Sequence, residues 1–152
     1  MLFRSQTPLG IFRLPFTTNV NWDPVKDLSY IINITGYSFG IVVPVDSPFK
    51  TFKDFIAYAK ANPGQLSYGS TGALTSPHLT MEDIAIRTGV QLSHIPYKGS
   101  ADLMQSLLGG HIMAAADSTG FAPHVQSGKL RGLCTWGDKR LSKFPEIGRA
   151  HV

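Results

Sequence analysis

The run Gly69-Ser70-Thr71-Gly72-Ala73-Leu74-Thr75-Ser76 combines two glycines with four hydroxyls and leads into Pro77-His78-Leu79. A helix that opens at Pro77 leaves the N–H groups of its first turn without partners inside the helix. The helix dipole adds partial positive charge at the same end. Such a loop is suited to holding an anion through backbone donors. Ser70, Thr71, Thr75 and Ser76 supply hydroxyl donors, and Pro77 supplies no N–H. His78, in the first helical turn, is placed to donate to a bound carboxylate, more strongly if charged. The run is not a dinucleotide fingerprint, a phosphate loop followed by Gly-Lys, or a nucleophile elbow. The simpler alternative is a glycine-rich turn before a capped helix.

Two further groups belong to the same chemistry. Tyr97-Lys98-Gly99 follows a strand-like segment, and Asp117 closes another. In an open sheet, ligand groups gather beyond the carboxyl ends of the strands. Lys98 would neutralise an acidic ligand. Asp117 would accept from a ligand amine or hydroxyl, cap the next helix, or orient Lys98. Residue order yields no nucleophile–base–orienter set; Ser70 with His78 is the only candidate pair, so catalysis is the weaker reading. His94, inside a strand, reads as structural, and His111 and His124 read as exposed. No histidine pair has ligand spacing, so neither a metal nor a cofactor is expected. Cys134, the single cysteine, lies in an apolar run and reads as buried filler.

The elements that must position these groups are legible as alternating patterns. Tyr30–Ile34 and Phe39–Val43 read as strands. The second is apolar throughout, as a strand covered on both faces would be. Thr51 and Asp54 form a capping box for a helix with Phe52, Phe55, Ile56 and Ala59 on one face, ended by Asn62-Pro63-Gly64. A strand at Leu66–Gly69, a helix from Pro77 to Thr88 capped by Thr75 or Ser76, and a strand at Val90–Ile95 follow. Next come a helix capped by Ser100, a strand at Ile112–Ala116, a short helix through Val125 and a strand at Lys129–Trp136. Asp23-Pro24 opens one short helical turn, and Trp22 reads as a packing residue. The alternation predicts an open α/β sheet with helices on its faces.

The 152 residues are enough for one ordinary core, and 43% of them are hydrophobic, a globular composition. The net charge of +4 is spread singly except at Lys139-Arg140, with no basic stripe, so nucleic acid is not an expected partner. Residues Leu2–Ser5 and Glu146–Val152 resemble translated sequencing adapters. They are set apart as non-native tails, leaving a native stretch from about Gln6 to Pro145.

In order, Val43-Pro44, Asp46–Thr51, Ala59–Gly64, Tyr68–Ser70, His94–Gly99, Leu108–Gly110 and Ser127–Arg131 resemble the Bug/TctC family. These are extracytoplasmic solute-binding proteins of tripartite tricarboxylate transporters. The resemblance runs from about Tyr30 to Pro145. It implies a type II periplasmic-binding-protein fold, truncated to one α/β lobe plus pieces of the other. The implied divisions are 1–5 tail, 6–65 partial first lobe and crossover, 66–132 second lobe, 133–145 return, and 146–152 tail. It implies periplasmic location with the secretion signal missing, and a monomer. The partners would be membrane permease subunits and a small organic anion: a di- or tricarboxylate, an acidic amino acid or an aromatic acid. Ser70, Thr71, Gly72, Thr75, Ser76, His78, Tyr97, Lys98 and Asp117 would line the second-lobe half of the cleft. Ala73-Leu74 departs from the family's smaller residues and would reshape the loop. The competing readings are a small α/β hydrolase or transferase using Ser70 and His78, and the effector-binding lobe of a transcriptional regulator.

Overall fold

The computed structural model describes residues 23, 26–27, 39–136 and 147–149. The expected strand at Tyr30–Ile34, the role of Trp22 and residues 137–145 of the 133–145 return segment lie outside the described residues. The Asp27 N–H donates to the Asp23 carbonyl at 2.8 Å; Pro24 and Val25, on which the expected helical turn rests, lie outside the described residues.

The described elements are β1 (Phe39–Pro44), α1 (Phe52–Ala61), β2 (Ser67–Ser70), α2 (Ser76–Thr88), β3 (Ser93–Pro96) and α3 (Ser100–Leu108). They continue with β4 (Ala114–Asp117), a 3-10 turn (Thr119–Phe121), α4 (Ala122–Gln126), β5 (Leu130–Trp136) and β6 (Gly148–Arg149). One sheet joins all the strands in the order β3-β2-β4-β1-β5-β6. Strands β3, β2 and β4 are parallel, whereas β1 runs antiparallel to both its neighbours, β4 and β5. The sheet is therefore mixed, a property that element order alone does not reveal.

The apolar character of β1 follows from its central place. Ile41 and Val43 face one helical layer with Phe49, Phe55, Tyr68, Met81 and Ile84. Val42 faces the other with Leu103, Leu107, Ile112, Phe121 and Leu130. Burial on both faces removes the polar alternation of a half-exposed strand. Strand β4 shows the same demand in another form: Ala114, Ala115 and Ala116 are all fully buried. Between Ile41 and Val42 the register on β5 slips by one residue, from Cys134 to Gly132. The interruption at Gly132 is thus a bulge, with Leu133 as the extra residue.

Helix α1 begins as the sequence requires. The Asp54 N–H donates to Thr51 Oγ1 at 3.2 Å, and the Thr51 N–H donates to Asp54 Oδ2 at 2.8 Å. Helix α2 ends at Gly89, whose φ of +68° is the left-handed C-terminal conformation that glycine adopts without strain. Two cap expectations are corrected. Thr75 occupies the N-cap position of α2, but its hydroxyl donates to the Gly72 carbonyl at 2.7 Å and caps nothing. Ser100 is the first helical residue of α3, after Gly99 at the N-cap, and its hydroxyl donates to Asp117 Oδ1. Strand β3 is also shorter than Val90–Ile95, because Val90 is spent on the turn out of α2, donating to the Ala85 carbonyl. His124 is half-buried and not fully exposed, because α4 rests against the sheet end.

Gly148–Arg149, inside the segment set apart as a tail, runs parallel beside β5, and Ile147 is 4% exposed over Gly132. The edge of β5 away from β1 offers a row of backbone donors and acceptors that suits an extended segment.

Candidate functional site

The parallel strands β2, β3 and β4 end on one side of the sheet, and the sequence-predicted groups collect there. Ser70 ends β2, Tyr97 and Lys98 follow β3, and Asp117 ends β4. The Tyr97 N–H donates to the Ser70 carbonyl at 2.8 Å, fastening the turn after β3 to the loop after β2.

The loop 71–75 is held from within. The Gly72 carbonyl accepts from Ser70 Oγ at 3.0 Å and from Thr75 Oγ1 at 2.7 Å. Gly72 has φ +132°, a conformation that a residue with a β-carbon rarely adopts. Leu74 has φ +58°, the single left-handed non-glycine among the described residues. The N–H groups of Thr71, Gly72, Thr75 and Ser76 have no hydrogen-bond partner among the described residues. They flank the start of α2, where the dipole and the free donors act together.

Ser70 itself is fully buried. Its Oγ lies 2.7 Å from His94 Nε2 while donating to the Gly72 carbonyl. Both bonds are satisfied together when His94 Nε2 carries a proton and donates to the hydroxyl. Ser70 is therefore an internal strut of the loop, paired with His94 and not with His78. A hydroxyl enclosed in this way is a poor nucleophile, and the Ser70–His78 pair that an enzyme would need is not formed.

His78 is placed differently from the sequence expectation. Its Nδ1 accepts the Leu74 N–H at 2.9 Å, and its Nε2 lies 3.6 Å from Glu82 Oε1. Its ring stacks on His94, with centroids 3.9 Å apart. Tyr68 also packs against His94 and donates its hydroxyl to Glu82 Oε1 at 3.0 Å. Burial, then the neighbouring His78, holds His94 below the ordinary imidazole pKa, with Glu82 acting in the opposite direction. Burial and then Glu82 push the Tyr68 phenol well above its usual range.

Tyr97 is half-buried, with its hydroxyl hydrogen-bonded to Ser106 on α3, so its ring belongs to the packing beneath the turn. Lys98 is exposed. Asp117 is 1% exposed; its Oδ1 accepts from Ser100 Oγ at 2.9 Å and the Ser118 N–H at 2.7 Å. Its Oδ2 is buried with no hydrogen-bond partner among the described residues. Burial raises its pKa, and the Ser100 and Ser118 hydrogen bonds oppose the rise. Among the described residues, no group of three or more His, Cys, Asp or Glu side chains suits a metal ion.

The tight pairing of Ser70 with His94 and the stacking of His78 on His94 were not visible in the sequence. The available signal was positional. Parallel pairing sets Tyr68 opposite His94, and Ser70 lies two residues on, on the same face.

A mixed sheet with an antiparallel central strand, helices on both faces and a donor loop at the strand ends defines the type II periplasmic-binding-protein class. Solved structures agree. A periplasmic transporter superposes with TM-score 0.81 at 30% identity, covering 91% of this chain and 47% of that one. The Rhodopseudomonas palustris protein Rpa4515, solved with adipate, gives TM-score 0.79 at 27% identity over 87% of this chain and 44% of its own. The family is set by sequence. Residues 5–151 match the tripartite tricarboxylate transporter family receptor, TctC. The chain is also 61% identical over 143 residues to the UPF0065 protein in the gbd 5' region of Cupriavidus necator, covering 94% of this chain and 44% of that protein. The chain belongs to the Bug/TctC family of periplasmic solute-binding proteins, and it spans less than half the length of these relatives.

Proposed function

We propose that this chain carries the second-lobe half of a carboxylate-binding cleft. The complete protein would take a small organic anion outside the cytoplasm and deliver it to the permease subunits of a tripartite tricarboxylate-type transporter. The observation that carries this reading is the loop after β2, where the N–H groups of Thr71, Gly72, Thr75 and Ser76 lack partners among the described residues at a helix start. A carboxylate accepts such donors through its oxygens, and charge-assisted bonds of this kind are about twice as strong as neutral ones. Lys98, exposed beyond the neighbouring strand, adds a cation at the same end of the sheet. The adipate carried by the Rhodopseudomonas relative supports a dicarboxylate as the ligand class. In this reading Ser70 and Tyr97 support the loop, the N–H groups of Thr71, Gly72, Thr75 and Ser76 do the binding, and Asp117 anchors Ser100 and Ser118 at the end of β4.

The reading is tested by titrating the isotope-labelled chain with adipate and with its uncharged diamide. Adipate is expected to move the backbone amide signals of Thr71, Gly72, Thr75 and Ser76, and the diamide to leave them in place. Equal responses to both, or shifts confined to residues remote from this loop, would refute it.

A further inference from the structure

His78 grips the exposed part of the anion loop at Leu74. Its Nδ1 accepts the Leu74 N–H at 2.9 Å. A ring nitrogen that accepts a hydrogen bond carries no proton, so the neutral ring bears its hydrogen on Nε2, on the side of Glu82. Leu74 needs such a grip. Its left-handed backbone crowds the β-carbon against the following carbonyl and is strained. Its side chain is 41% exposed, so burial returns little. The hydrogen bond to His78, together with the Thr75 hydroxyl on the Gly72 carbonyl, holds the turn between Gly72 and Thr75, and thereby the direction of the N–H groups on either side.

We propose that His78 is a positioning residue of the anion loop, locked as the neutral tautomer by the Leu74 amide. Protonating it therefore loosens the loop and weakens anion binding. The sign distinguishes this role from direct contact: a histidine that touched the anion would bind it more tightly when charged. Once Nδ1 carries a hydrogen, two donors face one another across 2.9 Å and one must move. The titratable groups facing the ring among the described residues are Glu82 on its own helix, His94 stacked from β3, and the Tyr68 hydroxyl, which reaches the cluster from β2 through Glu82. Neither Glu82, which faces Nε2, nor the stacked His94 offers Nδ1–H an acceptor in place of the Leu74 amide. The weakening of binding rests on the carboxylate reading above; the role of His78 in holding Leu74 does not.

The test uses the whole chain, isotope-labelled, as wild type, His78→Asn and His78→Ala. Asparagine sets an acceptor oxygen near the position of Nδ1 and does not titrate. In wild type, the ring nitrogen shifts should show an unprotonated Nδ1 at neutral pH. The hydrogen-exchange protection factor of the Leu74 amide should fall at least about tenfold in step with protonation of that ring. The His78→Asn variant should keep Leu74 protected across the same range, and the His78→Ala variant should leave it unprotected throughout. Protection of Ile41 and Ala115 in the central strands reports that each variant is folded; should the alanine variant fail that check, the asparagine comparison decides. A protonated Nδ1 at neutral pH, or Leu74 protection with the same pH profile in wild type and His78→Asn, overturns the proposal. With adipate as probe, the affinity of wild type relative to His78→Asn should fall as His78 is protonated; that ratio cancels the titration of adipate itself. A rise in the ratio overturns it. Failure of adipate to bind at any pH counts against the carboxylate reading alone, since Leu74 exchange still decides the role of His78.

Discussion

Gly69 sits mid-strand in β2, directly before the loop, and its missing side chain is a packing requirement. A β-carbon there would lie 2.4 Å from Leu103 Cδ1, 2.8 Å from Ile112 Cδ1 and 2.8 Å from Tyr97 Cε2. Carbon pairs are comfortable at roughly 3.5–4.0 Å, so all three neighbours must withdraw by about 1 Å. They have little freedom to do so. Leu103 and Ile112 are buried in the layer under β4, and the Tyr97 hydroxyl is tied to Ser106. Overpacking a core in this way costs about 1–3 kcal/mol. Replacing glycine by alanine also stiffens the unfolded chain, which returns about 0.4–1 kcal/mol. Gly69→Ala is therefore expected to lose about 1–2 kcal/mol net, a roughly 5- to 30-fold fall in the folded-to-unfolded ratio. Urea unfolding followed by tryptophan fluorescence measures it. Leu103→Val supplies the internal check, because it removes the closest atom. The valine variant should cost less in the Gly69→Ala background than in wild type, with a coupling above about 0.5 kcal/mol. A Gly69→Ala protein as stable as wild type, or strictly additive effects, would refute the packing argument.

Three further outcomes follow from the same packing. His94 has a lowered pKa in the folded chain, so the unfolded chain binds its proton more readily as pH falls below the ordinary value of 6.5. Its contribution to stability is thus present above that value and lost on acidification. In His94→Gln, which can still donate to Ser70, the urea midpoint should fall less between about pH 7 and pH 5. Thr51→Ala removes one half of the capping box on α1 and should cost about 1 kcal/mol, read as a lowered unfolding midpoint with an unchanged slope. Cys134 is buried, and burial pushes its thiol up to about 12, so a maleimide should label it only as the protein unfolds. Fast labelling under native conditions would contradict the packing of β5 on β1.

The sequence by itself determined the local parts. The Thr51–Asp54 box, the stop at Gly89, the uniform apolarity of β1 and the glycine–hydroxyl loop before Pro77 each depend on neighbours a few residues away. Capping, periodicity and turn chemistry act at that range, so they were legible. The ordered motifs from Val43 to Arg131 likewise point to the Bug/TctC family on residue order alone. What only tertiary structure decided is which distant groups meet. Nothing local requires β1 to run against β4 and β5, or β2 and β3 to align so that Ser70 finds His94. The role of His78 turned on the same point. From the sequence it is a donor at a helix start. In the fold its Nδ1 is taken by Leu74 and its ring lies on His94, because the register of two parallel strands and the seating of α2 bring those atoms together. Asp117 received its burial in the same way, from Ser100 and Gly120 closing over the end of β4. Hydrogen bonds and desolvation act over a few ångströms of space, and chain order does not set which residues share that space.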